Sequence, residues 1–387
     1  TTYYLRRAGG ALAVGPAAAV VLVDPNITGD ENAAGRGGSN TPPDEGETGA
    51  TLSIALADVI IDDNHADGDG GGIYTAAAMT ATATIVRNND ALTNGGGVYN
   101  EGATTITNAT ISGNLAEGGG GVFLTGSNTV TITGTTLSGN RAVGGGAVSG
   151  RADVTINMVN STLSGNLAED VGAGLYTNGK ASLRFVTLAN NIAGAESTTA
   201  GAGINTFPSG TVAVTLKNVL LADNRKGWAF ATYANPANDP TLFPANCGST
   251  DPAMNTTSNG YNLSSDDTCN AVLTLGTDIK PTLGLTISQI IGPLADNNAG
   301  TTGTTLTHAL LAGSPALGNG GAEGDVSVDQ RGVPRESPPD IGAFEVEGNS
   351  GGGGGCALGG DGRLDPTLPA MLAAALAFFG WRRRLGK

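Results

Sequence analysis

Aromatic and charged side chains are scarce in this sequence, and each shortage closes off a class of protein. Phe, Trp and Tyr together make up 4% of the chain, and Asp, Glu, Lys and Arg 14%. A chain of 387 residues with so few large rings must fill its interior with small aliphatic side chains, which calls for a narrow core. Two His, His65 and His308, leave little for imidazole metal centres or a histidine general base. Cations are few as well: 19 Lys and Arg face 34 Asp and Glu, for a formal net charge of −15. Four positive charges lie in the final "RRRLGK", and without them the remainder stands at −19. A body of that sign is no partner for nucleic acid or acidic lipid. Phosphate-loop, zinc-ligand and nucleophile-elbow spacings are missing too.

What the chain has instead is glycine, 63 residues of it, and a phrase that returns. "ISGNLAEGGGGVF", "LSGNRAVGGGAVSG" and "LSGNLAEDVGAGLY" begin at Ile111, Leu137 and Leu163. Aligned on their Asn, the copies fall at Asn64, Asn89, Asn114, Asn140, Asn166, Asn191 and Asn224, separated by 25, 25, 26, 26, 25 and 33 residues. Three positions earlier stands Ile61, Val86, Ile111, Leu137, Leu163, Leu188 or Leu221. Two positions later stands Ala66, Ala91, Ala116, Ala142, Ala168 or Ala193, replaced by Lys226 in the seventh copy. A fixed period of this length marks a solenoid. So much glycine opposes helical repeats, and the L-x-x-L-x-L-x-x-N pattern of leucine-rich repeats is absent. Between the phrases run "ATTITNATI", "NTVTITGTTL" and "TVAVTLKNVLL", Thr-, Val- and Ile-rich with period two, which is strand patterning. The chain is therefore expected to be all-β, a right-handed parallel β-helix of about 25-residue turns. Its inner columns are aliphatic, and a structural Asn ladder marks a tight corner where Asn tolerates left-handed backbone and bonds the next turn through its amide. A row of ligand-binding Asn is the alternative, but strict register suits one packing role better.

The rest divides around this body. Residues 1–49 read as a leader and a leading loop, 50–231 as repeats, 232–347 as final turns and an irregular C-terminal cap, 348–363 as a Gly-rich tether, and 364–387 as a sorting and membrane segment. The apolar stretch from Ala11 to Val23 behind Arg6 and Arg7 has the shape of a secretory signal, with a first strand at Val20 to Val23 as the alternative. At the other end, the 14 apolar residues from Leu368 to Trp381 are short against the roughly 20 that span a bilayer squarely. Lengthened by Leu364 to Thr367 and followed by Arg382, Arg383 and Arg384, they predict a transmembrane anchor helix with its basic end in the cytoplasm, an ordinary amphipathic helix being the alternative. Cys247 and Cys269 flank a turn-rich loop. A disulfide there, worth about 3 kcal/mol by loop closure, suits an exported protein better than two unrelated thiols. Cys356 stands apart, in "GGGGGCALGG".

Candidate chemistry is thin. Asp62-Asp63 and Asp266-Asp267 are the Asp-Asp pairs, and neither His lies in a G-H-G context. "DDNHADGDG" offers Asp63, Asp67 and Asp69 for a calcium ion, but no bidentate Glu follows at a useful spacing, so a solvated acidic turn is the simpler reading. His65 occupies the variable position after the ladder Asn. Thr-rich strands such as "TATAT" and "TVTIT" suggest an ice-adsorbing T-x-T array, against which their uneven spacing counts. No catalytic, metal or cofactor site is expected.

The later phrases "GYNLSSDDTC", "IGPLADN", "LTHALLAGSPALGNG", "DQRGVPR" and "DIGAFE", in this order between Gly260 and Glu345, resemble the bacterial choice-of-anchor Q family. The Gly-Asn turns resemble the polymorphic outer membrane protein repeat, and the tail resembles the JDVT-CTERM class of sorting signals. These resemblances imply an exported right-handed β-helix displayed at the cell envelope. They further imply a membrane anchor processed by an intramembrane protease, with Cys356 as its recognition, cleavage or modification point. The expected role is adhesive or structural, toward glycans, surfaces or other cells. The alternative is a pectate-lyase-like carbohydrate-active enzyme, a polysaccharide lyase or glycoside hydrolase.

Overall fold

The computed structural model describes residues 53–194, 200–207, 213–227, 242–249, 255–281, 286–298 and 305–348, together with the backbone of a strand at Ala19–Val23. Each coil visits four sheets in turn. The first sheet stacks Ser53–Ala57, Ala78–Thr82, Thr104–Thr107, Thr129–Thr133, Thr155–Val159, Lys180–Arg184, Ala213–Lys217 and Thr256–Ser258 in parallel, and Ala19–Val23 adds antiparallel to its leading edge. Val20 to Val23 fall within that strand; the remainder of 1–49 lies outside the described residues. A second sheet runs from Ile60–Asp62 to Leu263–Ser264, and a third from Ile73–Thr75 to Cys247–Ser249. Two-residue strands such as Arg141–Ala142 and Leu167–Ala168 form the narrow fourth side. Among the described residues helix is nearly absent, limited to short turns at Asp267–Cys269 and Ile287–Gln289. The body is an all-β parallel solenoid of the right-handed type, with about 26 residues per turn.

Strict register produces the core. In the second sheet Val86, Ile111, Leu137, Leu163, Leu188 and Leu221 pair in one column that begins at Ile61, and none is more than 2% exposed. On the fourth side Ala142, Ala168 and Ala193 lie in register and are fully buried, and Lys226 continues the column. There its ammonium donates to the Ala200 carbonyl at 3.2 Å, and burial pulls its pKa below that of an ordinary lysine.

At the corner between the second and fourth sides the ladder Asn are buried one above another. The amide of Asn114 donates to Asn140 Oδ1 at 2.9 Å and to the Val86 carbonyl at 3.0 Å, and its own backbone N–H donates to the same Asn140 oxygen at 3.1 Å. The pattern repeats at Asn89, Asn140, Asn166, Asn191 and Asn224. Asn64 starts the ladder by donating to Asn89 Oδ1 at 2.8 Å. The backbone role expected of the Asn belongs to its neighbour. Left-handed φ falls on the preceding residue, Asp63, Asn88, Gly113, Gly139, Gly165, Asn190 or Asp223, and on none of the ladder Asn. This explains the "SGN" phrase: glycine, Asn or Asp makes the bend, and the next side chain enters the stack.

The C-terminal segment lies along a flank of the solenoid. From the fourth coil onward it covers the outer face of the second sheet. Thr136 Oγ1 donates to the Leu306 carbonyl at 2.6 Å, Thr162 Oγ1 to Gln330 Oε1 at 2.7 Å, and the Ala343 N–H to Thr187 Oγ1 at 3.0 Å. A second apolar cluster forms beneath it from Ala189, Leu220, Ala222 and Leu263 on the solenoid with Ile290, Ile291, Ile341 and Phe344.

Asn140→Ala removes the amide that spans two coils and leaves the buried Asn114 N–H without its acceptor. With about 1–3 kcal/mol for each buried group left unpaired, the expected loss is about 3 kcal/mol by urea unfolding. A loss below about 1 kcal/mol would show that the aliphatic columns alone set the register.

Candidate functional site

The acidic turn is engaged with the coil that follows it. Asp62 accepts from Arg87 Nη2 at 2.7 Å and Nε at 2.9 Å, and from Asn88 at 3.0 Å; the Arg87 hydrogen bonds hold its carboxyl below the usual range. Asp69 accepts from the backbone and side chain of Asn94 at 3.0 and 2.9 Å and from Thr93 Oγ1. His65 sits between Asp90 at 2.9 Å and Asp67 at 3.3 Å, which raises its pKa, Asp90 first. Asp63 makes the left-handed bend and is exposed. Asp63, Asp67 and Asp69 are thus not brought together. Among the described residues no group of three or more His, Cys, Asp or Glu side chains is placed to hold a metal ion.

Asp266 and Asp278 terminate the two inner corners at the C-terminal end. Asn246 adds an eighth rung, accepting from Asn224 at 2.8 Å, and its N–H donates to Asp266 Oδ2 at 3.1 Å. Burial pushes the Asp266 carboxyl up. At the other corner Asn262 donates through its N–H to Asp278 Oδ1 at 3.1 Å. Asn246 follows Asn224 by 22 residues and stands just before the last strand of the third sheet, so no period announces it. Cys247 and Cys269 are joined by a disulfide inside the main core. Cys356 and the segment 364–387 lie outside the described residues, and among the described residues no helix is long and apolar enough to cross a membrane.

"DQRGVPR" and "DIGAFE" fold into a buried charged knot. Arg335 pairs with Glu345 at 3.0 Å, their side chains 3% and 1% exposed, and also donates to Asn160 Oδ1 at 2.9 Å. Its guanidinium lies 3.7 Å from the centroid of the Phe185 ring, and that of Arg331 lies 3.6 Å from the centroid of Phe344. Asp329 receives Arg331 at 2.8 Å and the Glu345 N–H at 2.9 Å. Burial brings Arg335 down to about 10 and lifts Asp340 and Glu345. Nearby, His308 Nε2 meets Ser164 Oγ at 2.8 Å and Nδ1 donates to the Gly292 carbonyl at 2.8 Å; burial holds its pKa down. These groups fasten the flanking segment to the solenoid.

Two outer faces carry repeated side chains. On the third sheet Tyr74, Tyr99 and Phe123 stack with centroids 5.1 and 5.4 Å apart, and Arg151 lies 5.1 Å from the Phe123 centroid. Burial, with Glu101 and Asp69 nearby, pushes the Tyr99 phenol up to about 12. On the first sheet Thr80, Thr105 and Thr131 share one column and Thr82, Thr107 and Thr133 the next. The uneven spacing that counted against a T-x-T array is absorbed outside the strands.

Arg335→Ala leaves Glu345 buried without its cation and should cost about 3–5 kcal/mol in urea unfolding; a loss under about 1 kcal/mol would make the knot incidental. The two imidazoles should titrate on opposite sides of 6.5 in an NMR titration, His65 above and His308 below. The unfolded chain binds more protons at His308 than the fold does, so its share of stability is present above 6.5 and is lost as pH falls from there through the lowered value. The His65 share is complete below 6.5 and lost as pH rises through the raised value. His308 titrating above 6.5 would contradict its buried place under the flank.

No protein-family model, curated protein or solved structure matches this chain.

Proposed function

We propose that this chain is an exported surface protein of the cell envelope, anchored through its C-terminal segment, whose solenoid is a non-catalytic body that binds extracellular material such as glycans or other surfaces. The observation that carries this reading is the unequal use of the outer faces. The second sheet is covered by the flanking segment from Thr136 onward, whereas no strand residue of the first sheet that faces outward is buried from Ser53 to Lys217. Solenoids commonly bind partners along such extended faces. Two further features support it. A disulfide inside the body suits an oxidising compartment. Asp62 and Asp69 accept from the following coil, and Asp266 from Asn246 and Thr268, so these carboxylates serve the structure. The Gly-rich tether, Cys356 and the apolar segment ending in three Arg support anchoring, followed by processing at an intramembrane protease.

Cell fractionation tests the reading. The full chain should follow the membrane fraction, deletion of 364–387 should release a folded body, and Cys356→Ala should block maturation with the Cys247–Cys269 bridge intact. A purified body that depolymerises a polysaccharide, with the activity abolished by Asp62→Asn or Asp63→Asn, would replace this reading with the carbohydrate-active enzyme.

A further inference from the structure

We infer that the threonine array on the first sheet is an ice-binding surface. Between Ser53 and Val159 the outward strand positions hold only Ser, Ala, Thr, Asn and Val. In the middle of that stretch Thr80 and Thr82, Thr105 and Thr107, and Thr131 and Thr133 form a grid of three coils by two columns. Thr80, Thr82 and Thr105 are exposed, and Thr107, Thr131 and Thr133 partly so. The grid continues at its edge, where Thr129 pairs with Thr155.

The dimensions of the grid identify the ligand. Strands stack about 4.8 Å apart, and alternate residues on one strand lie about 6.6–6.8 Å apart. In tetrahedral ice with O···O of about 2.75 Å, second-neighbour oxygens lie about 4.5 Å apart and the axial repeat is eight-thirds of a bond, about 7.3 Å. Over the three coils and two columns the accumulated misfit is about 0.6 Å in each direction, well inside the length of one hydrogen bond. The chemistry agrees with the geometry. Each Thr offers a hydroxyl that donates and accepts beside a methyl, on a β-branched side chain with few rotamers to lose. No hydrogen bond within the described residues occupies these six hydroxyls, whereas Thr84, Thr135, Thr136 and Thr162 spend theirs on the protein. A charged side chain would hold its own hydration shell against the lattice, and the grid has none.

This inference rests on the solenoid being a non-catalytic binding body, but its test is independent of anchoring. The full chain is mixed with dye-labelled serum albumin and a single ice crystal is grown slowly through the solution. The chain should be enriched in the ice and should facet crystals viewed by microscopy, and albumin should be excluded. Thr105→Lys and, separately, Thr80→Lys should fall to the albumin level, with unchanged circular dichroism and melting. Leu115→Lys adds the same charge at an exposed position outside the array and should keep the enrichment. Exclusion of the unsubstituted chain from ice overturns the proposal. So does enrichment that both Thr variants retain, or retention on crystalline cellulose lost in those variants without ice binding. Failed fractionation with ice binding intact removes only the anchoring; the reverse result removes only the ice surface.

Discussion

Everything in this solenoid hangs on one side chain's ability to face two ways. A carboxamide carries a donor and an acceptor on a single short arm. One Asn per coil can therefore accept from the coil before it and donate to the coil after it. Aspartate lacks the donor and glutamine is a methylene too long for the corner. Inside a dry interior the bonded amide also has no cheap alternative, since slipping by one residue would strand its donor and acceptor together. Fixing that corner fixes the coil repeat, which places Leu137 over Ile111 and Thr131 over Thr105. The acidic ends obey the same logic. The last Asn still needs an acceptor for its backbone N–H, and Asp266 supplies one that has nothing to pass on.

How much of this was legible depends on whether a feature repeats. The inward column from Ile61 to Leu221 and the seven Asn could be read directly, because a period of 25 or 26 residues leaves equivalent positions aligned. The left-handed position was misassigned by one residue. Asn is common in both roles, and only backbone angles separate Gly139, which bends, from Asn140, which bonds. Asn246 was out of reach because it joins the ladder from another part of the coil. The T-x-T grid was hidden for the opposite reason: the extra residue between Thr105 and Thr131 sits outside the strands, so counting along the chain reports irregularity where the sheet has none. The flanking segment does not repeat at all. Its phrases were visible as a resemblance, but their contacts reach back by as much as 194 residues.

That segment is held in a way unlike the solenoid. Its interface mixes an apolar cluster with buried ions, and both members of the Arg335–Glu345 pair are displaced toward neutrality by burial. Such a pair adds little net stability and is costly to break, so it acts on where the segment docks more than on how tightly. Phe185 points the same way. It occupies the left-handed column that Asn108, Gly134 and Asn160 fill in other coils, where a bulky side chain carries strain of about 1–3 kcal/mol. The ring is completely buried and covered by Arg335 at 3.7 Å. The repeat gives up its preferred turn residue at the coil where the flank inserts its cation.

The division of faces follows from these constraints. A solenoid repeats its outer surface as faithfully as its inner one, so every coil exposes similar rows. Covering the second sheet takes a segment that meets Thr136 with the Leu306 carbonyl, Thr162 with the Gln330 side chain and Thr187 with the Ala343 N–H, in a sequence that has no period of its own. On the first sheet an outward repeat holds over three coils, at Thr80 and Thr82, Thr105 and Thr107, and Thr131 and Thr133. At the sheet's leading edge Ala19–Val23 pairs antiparallel with Ser53–Ala57 and satisfies that strand's outer backbone groups. The threonine surface of that sheet is left available to a partner that is itself periodic.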